Sequence, residues 1–140
     1  MTTATAAASP VQNGAFDVLN VASFTALASG GFYTDVPQGT AFPSAWLAFG
    51  DPAEDPLDTF GKTGAVVHLE LHVYSTYEGD DECLDILSKG VELLHHQSIT
   101  ASGWTVPLVG RAFLGIAVED FNGQALRHGI ARLDVTAFRN

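Results

Sequence analysis

Residues 64–97 read GAVVHLELHVYSTYEGDDECLDILSKGVELLHHQ, and the two halves of this stretch carry different periods. In the first half Val67, Leu69, Leu71 and Val73 alternate with His68, Glu70, His72 and Tyr74. A period of two places the aliphatic side chains on one face of a strand and the polar or amphipathic ones on the other. Asp80, Asp81 and Glu82 follow the turn Tyr77-Glu78-Gly79, where a helix is expected to open. Either aspartate can accept hydrogen bonds from the first free backbone N–H groups, and all the acids suit the positive end of the helix dipole. Leu84, Leu87, Val91 and Leu94 are then spaced three, four and three apart, one apolar stripe on a helix over residues 80–96. Strand and helix each have an apolar face to bury against the other, and the rest of the chain is read as additions to that unit.

On the N-terminal side, residues 1–12 read as a flexible arm rich in Ala and Thr, with a single domain over residues 13–140. Met1 to Ser9 has neither the basic nor the apolar region of a signal peptide or anchor. Phe16, Leu19, Val21, Phe24 and Leu27 predict a helix from about Gly14 to Ala28, broken near Asn20 and stopped by Gly30-Gly31. Phe32-Tyr33-Thr34 is a short strand candidate, and Val36-Pro37-Gln38-Gly39 a turn. Ala45 to Gly50 is a compact apolar strand. Residues 51–64, DPAEDPLDTFGKTG, read as a surface loop carrying Asp51, Glu54, Asp55 and Asp58. It is longer than most connections in a compact domain, which marks those acids as a candidate partner contact.

On the C-terminal side, residues 104–109 form a short strand whose Pro107 favours an edge position. Residues 112–118 and 126–138 are two further strands, joined through the hairpin signal Asn122-Gly123. The predicted fold is α+β: a mainly antiparallel sheet of four to five strands, an N-terminal helix, and one long amphipathic helix packed on one face.

The chain has 140 residues, 46% of them apolar, a net charge of −10 and one cysteine. It is large enough for one core, its lone Cys83 has no intramolecular disulfide partner, and no apolar run reaches the ~18 residues of a membrane span. Charge is uneven: residues 1–110 pair thirteen acids with only Lys62 and Lys89, whereas Arg111, Arg127, Arg132 and Arg139 all lie in the last thirty. Such acidity disfavours gripping nucleic acid, whose affinity comes largely from cations on phosphate.

His68, Glu70 and His72 project from one strand face and are the best metal-ligand cluster; a fourth ligand is not evident, with His95-His96 and His128 the nearest candidates. HLELH lacks the helical spacing of the HExxH metallopeptidase motif. Histidines on the less buried face of a long strand are commoner than ligands, so the expectation is no metal and no cofactor. Cys83 falls in a first helical turn, but Asp81, Glu82 and Asp85 oppose a thiolate there. Gly61-Lys62-Thr63 lacks the first glycine of a phosphate loop, and Trp46 and Trp104 read as core or rim anchors. No catalytic residue is expected.

Residues 32–43, FYTDVPQGTAFP, carry a likeness to a known family. With the apolar strand 45–50, the strand Leu69 to Ser75, the stripe Leu84 to Leu94 and Arg127-His128-Gly129, the chain resembles the small tail-completion (tail-terminator) proteins of long-tailed bacteriophages and gene transfer agents. The likeness spans about residues 14–138 in the same order. Thr34, standing between Tyr33 and Asp35, departs from the family pattern, and the acidic stretch 51–58 is not general to it. The resemblance implies a structural virion protein without catalytic role. It would form a ring, usually a hexamer, at the head-proximal end of the tail tube, in the virion neck after assembly in the host cytoplasm. Its partners would be copies of itself, the tail-tube protein and the head-completion (connector) protein, with genome DNA passing the lumen unbound. A stopper ring, a tail-tube subunit and a small metal-dependent enzyme on His68, Glu70 and His72 are the alternatives.

Overall fold

A computed structural model describes residues 6–59, 61–96 and 98–140 of the chain. Helix α1 (Ala8–Leu19) and the single turn α2 (Ala22–Thr25) precede strands β1 (Phe32–Tyr33), β2 (Ser44–Pro56) and β3 (Gly64–Ser75). Helix α3 (Asp81–His96) leads to β4 (Trp104–Phe121) and β5 (Gln124–Arg139). The strands form one sheet in the order β1-β2-β3-β5-β4. Only the short β1–β2 pair is parallel, so the sheet is mainly antiparallel and the fold is α+β, as the alternating pattern predicts.

The helices lie on one face. Val67, Leu69, Leu71 and Val73 of β3 are fully buried there, flanked by Leu47 of β2 and by Ala131, Leu133 and Val135 of β5. Helix α3 contributes Cys83, Ile86, Leu87 and Leu94, whereas Leu84 is 36% exposed and Val91 only partly buried. The predicted stripe is thus corrected by a roll of the helix. Two glycines set that roll. A Cβ on Gly90 would stand 2.4 Å from Leu71 Cδ2, and one on Gly129 of β5 would stand 2.5 Å from Cys83 Sγ. Backbone and side chain meet so closely there that the cysteine side, not the Leu84 side, turns inward.

Helix α1 begins at Ala8, so residues 8–12 are not the expected arm; residues 1–5 lie outside the described residues. Ala7, Val11, Ala15 and Leu19, spaced by four, are all fully buried. Small side chains let this helix sit close to β2, where Gln12 Nε2 donates to the Leu47 carbonyl at 2.9 Å. Pro10 fits the first turn, where its missing N–H has no helical partner in any case. The helix ends at Leu19, and α2 follows after Asn20, the predicted break.

Two further expectations are corrected. The strands predicted at 104–109 and 112–118 are one strand, β4, with register shifts at Thr105/Leu108 and Arg111/Phe113 that absorb Val106-Pro107 and Ala112. Residues 51–56, predicted as loop, continue β2: after a shift between Phe49 and Glu54 the strand pairs again with β3, Glu54 opposite Val67. The hairpin Asn122-Gly123 is as predicted, with φ of 52° and 79°, the left-handed pair a two-residue turn requires. Among the described residues no helix is long and apolar enough to cross a membrane.

Candidate functional site: the uncovered sheet face and its free edge

The second sheet face carries no helix, and it gathers most of the residues that the chemistry search singled out. His68, Glu70, His72 and Tyr74 of β3 project there, beside Asp134, Arg132 and His128 of β5. They do not converge on one point. Among the described residues no group of three or more His, Cys, Asp or Glu side chains is arranged to hold a metal ion.

His68 is the most buried titratable group of this face, at 6% exposure. Its Nδ1 lies 2.6 Å from Asp134 Oδ1 and its Nε2 2.8 Å from Asp55 Oδ2. Desolvation alone would lower its pKa, but the two carboxylates outweigh burial and raise it above the ordinary histidine value. Asp134 is also desolvated, yet its bonds from His68 and Arg132 hold it below the usual carboxylate range. An imidazolium clamped between carboxylates fastens the end of β2 to β5 across β3.

That linkage has a definite sign. A raised histidine pKa contributes stability that is complete below the unfolded value of about 6.5 and is lost as pH rises through the folded value. The melting temperature of the wild type is therefore expected to fall between pH 6 and pH 8 more steeply than that of His68→Gln. Parallel curves for the two proteins would show that His68 is neutral throughout.

The second network runs along the same face. Glu70 Oε1 lies 3.1 Å from His72 Nε2, His72 Nδ1 lies 2.8 Å from His128 Nε2, and His128 Nδ1 lies 2.6 Å from Glu119 Oε2. Each of these bonds needs a proton and the carboxylates supply none, so the imidazoles hold three between them: one neutral, one cationic. Burial, opposed by the hydrogen bond to Glu70 and aided by the neighbouring His128, lowers the pKa of His72. Trp46 of β2 stacks on His72 with ring centroids 4.6 Å apart, and Tyr74 tilts against both Trp46 and His128 at 4.7 and 4.5 Å. Tyr74 has its own pKa raised, by burial and then by Glu119.

The acids proposed for partner contact divide. Glu54 Oε1 accepts the Ala8 N–H at 3.1 Å, which caps α1 where its own N-cap residue offers no side chain. Asp55 binds His68, and Asp58 Oδ1 accepts the Gly64 N–H at 3.2 Å. Asp51 is exposed. Cys83 is buried and its thiol pushed up to about 11, chiefly by burial, which disfavours the thiolate at neutral pH. Thr59 and Lys62 exchange backbone hydrogen bonds of 3.0 Å, so Gly61-Lys62-Thr63 belongs to a turn. Trp104 is a core residue, whereas Trp46 stands on the uncovered face.

Strand β4 forms the outer edge of this face and, among the strands of the described residues, pairs only with β5. Its Leu108, Phe113, Val118 and Phe121 are 45–61% exposed. The opposite edge is also open, because β1 covers only Ala45 and Trp46 of β2. No alternation rule could reveal these features, which depend on strand order.

No curated protein matches this chain. Among solved structures it is similar to a chain of the virion of a native gene transfer agent (GTA) particle. The two share 17% identity and a TM-score of 0.75 over 96% of this chain and 99% of that one, which establishes the fold. The family described as tail completion protein gp17 matches residues 18–136. That span takes in the 32–43 segment, the β3–α3 unit and the Arg127-His128-Gly129 motif, and by this match the chain belongs to the tail completion protein gp17 family.

Proposed function

We propose that this protein forms a ring, a hexamer, at the head-proximal end of a phage-type tail tube, where it ends tube growth and joins the tail to the head. Membership of the tail completion family over residues 18–136 carries the reading and makes the protein a structural component of such a tail. The open edges of the sheet favour self-assembly. An edge strand presents unpaired backbone groups to a neighbour, and a head-to-tail ring needs two different surfaces on each subunit. The tail-tube protein and the head-completion protein are the partners on either side, in the neck of the particle, after assembly in the host cytoplasm. A net charge of −10 suits a lumen that DNA traverses without adhering.

Asp51, Glu54, Asp55 and Asp58 remain the proposed partner contact, with Asp51 as its free member. Because Glu54, Asp55 and Asp58 are bonded within the subunit, Asp51→Asn is the clean test. It is expected to slow head–tail joining at low salt while leaving the melting temperature unchanged. For the function as a whole, particles made without this protein are expected to separate into filled heads and tails of irregular length. Normal joined particles in its absence would overturn the assignment.

A further inference from the structure

The bonded series Glu70, His72, His128, Glu119 crosses three strands of the uncovered face, β3, β5 and β4. Both imidazoles are largely buried, with side-chain exposures of 13% and 15%. Each ring commits one nitrogen to a carboxylate, at 3.1 Å for His72 and 2.6 Å for His128, so both of those nitrogens carry protons. The remaining two, His72 Nδ1 and His128 Nε2, face each other at 2.8 Å. One proton between them makes a hydrogen bond. A second turns the contact into N–H against N–H between two cations, with no lone pair left on either ring to accept.

An aromatic cluster rides on that contact. Trp46 of β2 stacks on His72 at 4.6 Å and on His128 at 5.8 Å, and Tyr74 tilts against His128 at 4.5 Å. Neither imidazole can turn away from the other without disturbing this stack or releasing its carboxylate. Tyr74 and Glu119 also line a hollow of about 330 Å³ between the 36–42 loop and the tip of the β4–β5 hairpin, so the same side chains shape the sheet's free edge. Other charged or titratable groups stand around the pair. Arg132 of β5 lies opposite Glu70 but bonds Asp134, and Asp35, after β1, lines a hollow with Trp46 and Tyr74. Next to His72 and Glu70, β2 supplies Trp46 and Ala48, without charge. Burial, and then Glu119, raise the Tyr74 pKa, which keeps its hydroxyl protonated throughout.

We propose that the His72–His128 contact is a proton latch: one shared proton holds the aromatic stack and the hairpin closed, and one further proton opens them without unfolding the subunit. Burial, opposed by Glu70 and aided by His128, puts the His72 pKa below its ordinary value of 6.5, so the latch opens on the acid side of that value. A depressed histidine pKa contributes stability that is present above the unfolded value and lost as pH falls through the folded one, opposite in sign to His68. The latch belongs to the single subunit and stands whether or not copies of the chain form a ring.

The test is a titration of the wild type from pH 8 to pH 5, followed by NMR of the imidazole nitrogens and of the Trp46 and Tyr74 rings. Below about pH 6.5, His72 and His128 are expected to take up one proton between them, and the Trp46 and Tyr74 signals to shift at the same midpoint. Trp104, in the core, is expected to stay unchanged across that step. In His128→Gln the amide both donates and accepts, so it satisfies His72 in either protonation state, and the Trp46 step is expected to vanish. If that variant does not fold, His72→Gln tests the same point from the other ring. Glu119→Gln keeps an acceptor for His128 but removes a neighbouring negative charge, and is expected to lower the midpoint by about half a pH unit or more. A purely structural role for Glu119 would leave the midpoint where it is. Trp46 and Tyr74 signals that do not move from pH 8 to pH 5, or a step that persists in His128→Gln, overturn the latch. So does a step in which Trp104 moves together with Trp46, since that is global unfolding.

Discussion

Leu87→Asp is expected to yield a subunit with no cooperative melting transition at any temperature. Leu87 is fully buried on α3, and its side chain lies over Gly129 of β5. An aspartate there would be a charge without a partner in a low-dielectric setting. Breaking a buried pair by removing one member costs about 3–5 kcal/mol, and an isolated buried charge is no cheaper. Lost aliphatic packing adds about 2–5 kcal/mol, so the sum reaches the ~5–15 kcal/mol that holds a typical domain folded. Leu84→Asp is the informative companion. Periodicity puts Leu84 in the same stripe, yet it is 36% exposed, and the substitution is expected to stay within about 0.5 kcal/mol of wild type. Circular dichroism melts of the two variants decide it. Equal losses would mean that α3 is rolled the other way.

That contrast shows what local pattern can carry. The β3–α3 unit is legible because strand and helix periods are properties of neighbouring residues, and its existence follows from them. The roll of α3 is not legible to the same degree, since it depends on Gly90 and Gly129, and glycine contributes nothing to an apolar stripe. The start of α1 is hidden for a related reason: Ala7 and Ala8 read as bland linker until a sheet lies against them. The hairpin at Asn122-Gly123 is legible because its left-handed backbone is a demand on those residues alone.

The acidic stretch is the instructive failure. Residues 51–58 have the composition of a loop, with acids and prolines that disfavour strands. Tertiary bonds override that preference: Glu54 caps α1, Asp55 clamps His68, and Asp58 holds the start of β3. The partners of Glu54 and Asp55 lie 46 and 13 residues away, so only the assembled sheet reveals them. The uncovered face is similar. His68 and His72 were visible as strand residues on one side, but their division into two networks is set by which β5 residue stands opposite each.

Gly129 offers the second large effect. In a strand, glycine is ordinarily the poor choice, and replacing it by alanine is worth about 0.5–1 kcal/mol in reduced backbone entropy. Here the expected sign is reversed. A Cβ at Gly129 would stand 2.5 Å from Cys83 Sγ and 2.6 Å from Leu87 Cδ1, both on the helix that covers the core. Overpacking of this kind costs about 1–3 kcal/mol, so Gly129→Ala is expected to be destabilising by roughly 2 kcal/mol, and Gly129→Val by more. Gly115 of β4 is the control, since a Cβ there meets nothing within 4 Å, and Gly115→Ala is expected to be neutral or slightly stabilising. The cause can be isolated by a double-mutant cycle. In a Cys83→Ala background the obstructing sulfur is gone, and Gly129→Ala should recover about half its cost or more. Urea titrations of the four proteins give the coupling directly. Additive effects would place the strain elsewhere than at the contact between α3 and the Arg127-His128-Gly129 segment of β5, and would remove the physical reason for a glycine in that motif.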